Sequence, residues 1–308
     1  MILVVGASGV LGGTTARFLL ARGRGVRAMT RRADALGPLR QLGADIVSGD
    51  MLDPASLERA CAGARQVLVT ANSFLGSGAT SPDRVDAPGY RNVFAAAERA
   101  GVEHIVFVSA LLPEKYRTVD YFRVKFEAAD ALRRGDVAWT VLQPTAFMET
   151  WATIVGDPLL KAGRAQILGP GVRPFNLVAV DDVAAMIALV VDRPEARGAD
   201  VPVGGPENLT QRAIADTIAR ITGRPARYSH VPMAMLRAAA VLAPAFNSVF
   251  ARQAKVGVLM NTEDNTFDMR PLLAQYPIPQ TTLEEWARRR YAAHRPPSAA
   301  SRQPASGD

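Results

Sequence analysis

Ile2-Leu3-Val4-Val5-Gly6-Ala7-Ser8-Gly9-Val10-Leu11-Gly12 is the stretch that decides the fold. Four apolar residues in succession, with no polar alternation, suit a strand buried on both faces of a parallel sheet. Three glycines follow at once, and Leu11 to Arg22 then takes helical spacing, so strand, glycine turn and helix form one βα unit. Outward from it the pattern repeats. Val26 to Thr30, Asp45 to Ser48, Gln66 to Ala71, His104 to Ser109 and Trp139 to Leu142 read as strands. Ala33 to Leu42, Pro54 to Ala62, Gly89 to Ala100 and Val119 to Arg133 read as the intervening helices. This alternation implies right-handed βαβ crossovers, hence an α/β protein with a doubly wound parallel sheet over residues 1–150.

After Pro144 the rhythm loosens, with helical spacing near Asp182 to Val191, Thr210 to Thr222 and Met233 to Ala243. Residues 151–294 are expected to form a smaller C-terminal lobe over the strand ends, with a strand and helix returning to the main sheet near 175–205. Ser73 to Pro88 is a long Gly/Ser/Pro/Asp connection of the kind that carries function. The longest apolar stretch, Val231 to Phe250, is interrupted by Pro232, Arg237, Pro244 and Asn247. It is expected to be a buried helix or pocket lid rather than a membrane span. From Arg295 onward the composition is Pro/Ser/Ala-rich, and disorder is expected over 295–308.

Composition narrows the function classes. Of 308 residues, 48% are hydrophobic and 21% charged, values that exclude disordered and collagenous chains. A single cysteine, Cys61, forms no internal disulfide, and His104, His230 and His294 are too scattered for a metal site. The net charge of +7 comes from dispersed cations without interleaved aromatics, so a nucleic-acid partner is not expected. The run from Met1 straight into a strand leaves no room for a leader, which makes a cytoplasmic location the expectation. Monomer and homodimer stay open.

The glycines have separate tasks. Gly6 permits the tight turn, Gly9 lets the backbone approach a pyrophosphate, and Gly12 lets helix pack closely on strand. Ser8, Val10 and Leu11 complete the loop, whose free N–H groups face an anion with the helix dipole behind them. Context thus implies a Rossmann-type dinucleotide site. Where a free ribose 2′-hydroxyl would call for an acidic acceptor, the second strand ends in Thr30-Arg31-Arg32. Two guanidiniums suit a 2′-phosphate, so NADP(H) is expected over NAD(H). Asp50 and Met51 after the third strand are placed for the adenine, and Thr70, Ala71 and Asn72 after the fourth for the cofactor ribose.

Ser109 closes the fifth strand, and Tyr121 and Lys125 follow at i, i+4 on one helix face. In this arrangement serine orients a carbonyl, the phenol exchanges a proton, and the lysine ammonium lowers the phenol pKa while holding the nicotinamide ribose.

With these motifs, Val102 to Ser109, Thr140 to Glu149 and Val178 to Ala184, the chain resembles the NmrA-like, atypical branch of the short-chain dehydrogenase/reductase superfamily over most of residues 1–290. The resemblance implies that Pro144, Thr145, Ala146, Phe147 and Met148 pass beside the nicotinamide and that the Asp181-Asp182 turn supports the second lobe. Gln143 stands where that family usually has arginine. The implied activity is NADPH-dependent reduction of a small apolar carbonyl, enone or quinone. Ser73 to Pro88, with Phe74, and then Phe147, Trp151 and Val231 to Phe250 are expected to line its substrate pocket. Two alternatives remain: a redox sensor that binds NADP(H) without turnover, and an epimerase or dehydratase.

Overall fold

The computed structural model describes residues 1–291, so the segment 295–308 lies outside the described residues. The first half runs β1 (Ile2–Val5), α1 (Val10–Ala21), β2 (Val26–Thr30), α2 (Gly37–Gln41), β3 (Asp45–Ser48), α3 (Pro54–Cys61), β4 (Gln66–Val69), α4 (Asp86–Arg99), β5 (His104–Val108), α5 (Asp120–Arg133) and β6 (Trp139–Pro144). The second half runs β7 (Ala146–Phe147), α6 (Met148–Ala162), β8 (Ala165–Leu168), β9 (Phe175–Val178), α7 (Val180–Val190), β10 (Ala199–Val203), β11 (Glu207–Leu209), α8 (Gln211–Thr222), β12 (Tyr228–Val231), α9 (Met233–Leu242), α10 (Ser248–Thr262) and α11 (Leu283–Tyr291).

Seven strands form one parallel sheet in the order β3-β2-β1-β4-β5-β6-β10. β1 pairs with β2 on one side and β4 on the other, with Ile2 opposite both Val26 and Gln66. Strand order reverses there, and in such sheets the crevice beyond the strand ends at the reversal is where ligands lie. The unbroken apolar run of β1 serves both layers. Ile2 and Val4 join a core with α1 and α7, while Leu3 and Val5 join one with α3, α4 and α5.

A third core holds the second lobe together, with Met148 and Ala152 of α6, Phe175 of β9, Ile214 and Ile218 of α8 and Trp286 of α11. Two small sheets belong to it, β11-β9-β7 and β12-β8. Asp182 accepts bonds from the Thr281 amide and hydroxyl, both at 2.8 Å, which ties the start of α7 to the chain before α11.

Two expectations need correction. The segment Val231 to Phe250 is neither a buried helix nor a lid. α9 packs on α10 through Leu236 and Ala240, four residues apart, and leaves Met235, Val241 and Leu242 exposed; Phe246, after α9, is 92% exposed, and Phe250 of α10 is exposed as well. One narrow stripe is all that a partner helix covers, so apolar composition alone misjudged the burial. The connection after Ser73 is also shorter than expected, because α4 begins at Asp86. No helix among the described residues is long and apolar enough to cross a membrane.

Candidate active site

A cavity of about 1050 Å³ opens where β1 and β4 end and extends toward α5, α6 and α10. Its narrow end is the glycine loop. Gly6 has φ of +94°, and a Cβ there would sit 2.5 Å from the Ala71 nitrogen. A Cβ on Gly12 would lie 2.3 Å from the Gly6 carbonyl oxygen and 2.6 Å from Thr70 Oγ1. Gly9 is different. It caps α1, and its Cβ would meet within the chain only the Gly6 oxygen, at 3.3 Å. The first turn of α1 carries no acidic side chain, so its free N–H groups and dipole remain available to an anion.

Ser8, Gly9, Val10, Leu11 and Gly12 line this end with Gly6. Thr30 Oγ1 donates to Ser8 Oγ at 3.2 Å, linking the glycine loop to the end of β2. Arg31, directly after, lines the cavity. Arg32 does not. Both arginines are exposed, but Arg32 caps the 3₁₀ turn at 33–36, and of the expected pair Arg31 alone lines the cavity. Asp50 and Met51 are at the wall, with the Asp50 carboxylate accepting the Leu52 N–H at 2.9 Å. Thr70, Ala71 and Asn72 follow along the floor, and Thr70 donates to the Val5 carbonyl at 3.0 Å.

Pro144, Thr145, Ala146 and Phe147 line the central part. Thr145 is fixed by donating to Asn176 Oδ1 at 2.8 Å. Ser109, at the end of β5, is 4% exposed, and its hydroxyl has no hydrogen-bond partner. Tyr121 lines the same space, its ring edge-on to Phe74 and Phe122 at 4.9 Å each. Phe74, Phe147 and Trp151 all face the wide end. Glu149 at the cavity is held by the Val180 N–H and by Trp286 Nε1 at 3.0 Å. Burial nevertheless raises its carboxyl above the usual range.

Lys125 is the member that the cavity does not include. It is 3% exposed, and its Nζ donates to the Val108 carbonyl at 2.6 Å, beneath the end of β5. Helical spacing put it on the same face as Tyr121, but the open strand carbonyl draws the ammonium under the phenol ring, 5.5 Å from its centroid. The expected lowering of the phenol pKa is therefore overturned. Burial, then the charge of Asp86, push Tyr121 up, with Arg252 opposing, and the phenol keeps its proton at neutral pH. Lys125 itself is pulled down to about 8 by burial, against the raising effect of Asp86.

Two residues that sequence reasoning did not single out hold this end together. Arg252 of α10, 2% exposed, donates through Nε and Nη2 to both Asp120 oxygens at 2.7 and 2.6 Å. Its Nη1 donates to the carbonyls of Phe74 and Gly76 at 2.5 and 3.1 Å. The second is Asp86, 1% exposed, which accepts the Ser73 N–H at 2.9 Å. No local pattern signals either one, because Arg252 pairs with a residue 132 positions away and Asp86 meets Ser73 only through the fold of the loop between them.

A model of the NmrA-like family matches residues 1–287. The chain belongs to the NmrA-like family. A Streptomyces griseus relative, (4-alkanoyl-5-oxo-2,5-dihydrofuran-3-yl)methyl phosphate reductase, is 32% identical over 240 residues, 78% of this chain and 80% of that protein. The photosystem II assembly factor Ycf39 of a Synechocystis species is 27% identical, with 92% of this chain and 89% of that protein covered. Among solved structures, a Citrobacter triphenylmethane reductase complexed with NADP(H) shares this NmrA-like chain's fold. The TM-score is 0.76 at 20% identity, covering 94% of this chain and 99% of that one.

Proposed function

We propose that the protein is an NADPH-dependent oxidoreductase of the atypical short-chain dehydrogenase/reductase type. Its substrate is a small, largely apolar carbonyl compound, enone or quinone. The observation that carries this reading is a single cavity, with an anion-binding helix terminus and Arg31 at one end and Ser109, Tyr121 and an aromatic wall at the other. The residues present fit the cofactor, since Gly9 leaves a cradle that a larger side chain would fill and the Ser109 hydroxyl has no partner within the chain.

The dinucleotide supplies the hydride when bound. The chain's own residues do the rest. The α1 terminus holds the pyrophosphate, and Arg31 pairs with the 2′-phosphate. Ser109 Oγ donates to the substrate oxygen, and Tyr121, kept protonated by its surroundings, hands it the proton as charge develops there. Phe74, Phe147 and Trp151 exclude water and favour flat apolar substrates. Lys125 acts from below the ring as a fixed positive charge.

Relatives include one named as an assembly factor, which favours a second reading in which NADP(H) is bound without turnover. Calorimetric titration with NADPH and NADH, followed by turnover on a panel of quinones, enones and ketones, separates the readings. Binding with reduction of a panel member supports the enzyme. Tight binding with none reduced supports the second reading, and absence of binding removes both.

A further inference from the structure

Lys125 and Asp86 are both buried ionisable groups, and each lacks a directly bonded charge of opposite sign. Around the Lys125 ammonium are the Val108 carbonyl and Phe107 of β5, Tyr90 of α4 and Tyr121 of α5, with ring centroids 5.3, 5.6 and 5.5 Å away. Tyr90 is neutral and donates to the Ala71 carbonyl at 2.9 Å. Asp86 lies one helical turn before Tyr90 on the same face of α4, so carboxylate and ammonium flank one tyrosine. Asp86 Oδ2 takes the Ser73 N–H, while Oδ1 is buried without a partner, and the residue lines the cavity. Arg252 of α10 also feels this carboxylate, but its fork is committed to Asp120. The Asp86 charge raises the Lys125 pKa against the lowering effect of burial.

Burying an ammonium against a carbonyl and three ring faces is costly without a compensating anion. We propose that Asp86 is a positioning residue for the reaction: its carboxylate is the counter-charge that keeps Lys125 protonated beneath Tyr121, and turnover depends on that charge. This rests on the reading in which Tyr121 delivers the proton. With the ammonium in place, the negative charge that develops on the substrate oxygen meets a positive field through the phenol. Without it, the desolvated lysine titrates near neutrality and the field is lost.

The test uses the chain's four lysines, Lys115, Lys125, Lys161 and Lys255. In full-length protein labelled with 13C at lysine Cε, the signal lost in Lys125→Arg identifies the residue, and its titration is followed directly. Asp86→Asn keeps an acceptor for the Ser73 N–H and removes the charge. The Lys125 midpoint, about 8 in the native chain, falls by about 1 to 2 units in this variant and recovers in Asp86→Glu. The alkaline limb of kcat/KM moves with it, while the NADPH dissociation constant stays within about twofold. An unmoved midpoint in Asp86→Asn overturns the proposal. So does a shifted midpoint with an unmoved limb, since turnover then ignores the charge. If Asp86→Asn does not fold, Asp86→Ser gives the same reading. Failure of the underlying reading shows separately, as full activity in Tyr121→Phe.

Discussion

Replacing Arg252 by methionine keeps an unbranched, apolar stem in place and removes every donor. The residue's side chain is 1% exposed, and it bridges α10 to Asp120, at the start of α5, and to the Phe74 and Gly76 carbonyls. Removing one partner of a fully buried ion pair costs about 3–5 kcal/mol. The Asp120 side chain is 32% exposed, so water recovers part of its solvation and the pair belongs at or below the low end. The two carbonyls that lose a donor add about 1 kcal/mol each. A loss of about 3–5 kcal/mol follows, which lowers Tm by roughly 5–15 °C for a chain of this size. Asp120 also accepts the Tyr121 N–H at 2.9 Å, and Phe74 packs on the Tyr121 ring, so the substrate wall loosens as well. Thermal and urea unfolding of Arg252→Met, Asp120→Asn and the double variant measure the coupling, and the substrate KM rises while NADPH affinity holds. A Tm change below 2 °C, or strictly additive single variants, would show that Arg252 does not hold α10 and α5 together.

Gly9→Val leaves a folded chain that no longer binds NADPH in calorimetry, because within the chain its Cβ meets only the Gly6 carbonyl oxygen, at 3.3 Å, which a small shift relieves, while the side chain fills the pyrophosphate position. Gly12→Ala, whose Cβ would lie 2.3 Å from the Gly6 oxygen, instead lowers the unfolding midpoint with or without cofactor. Arg31→Ala reduces the ratio of NADPH to NADH affinity by tenfold or more, whereas Arg32→Ala, away from the cavity, changes it less than threefold. His104 is buried against Thr140 at 2.8 Å and pulled down by burial to about 4, so the folded state resists the proton that the unfolded state accepts below about 6.5. Stability is therefore complete above that pH and lost progressively from there down to about 4, by about 3 kcal/mol. Denaturant midpoints across that range should fall for the native chain and flatten in His104→Asn.

β1, β4 and β5 were the most legible of the first six strands because they are buried throughout and read as apolar runs, while β3 at the sheet edge is half-exposed; the glycine spacing after β1 fixes what the first turn is for. Thr30-Arg31-Arg32 was legible as a cationic strand end, but only the geometry of the 3₁₀ turn separates Arg31, which lines the cavity, from Arg32, which does not. Tyr121 and Lys125 share a helix face as their spacing requires. Where the ammonium ends up depends on the Val108 carbonyl, seventeen residues back, which no periodicity announces. Arg252 pairs with a residue 132 positions away, and the Ser73 to Asp86 bond depends on how one loop folds over α4. The apolar residues of α9 read as core because composition does not say which face a neighbour covers.

Tyr121→Phe removes only a hydroxyl, that of the proposed proton donor for reduction by NADPH. NADPH consumption and product formation on a substrate that the native chain reduces should fall by about 10² to 10⁴, with the NADPH dissociation constant and the unfolding midpoint unchanged. Native turnover in Tyr121→Phe would contradict the claim and place the donor elsewhere.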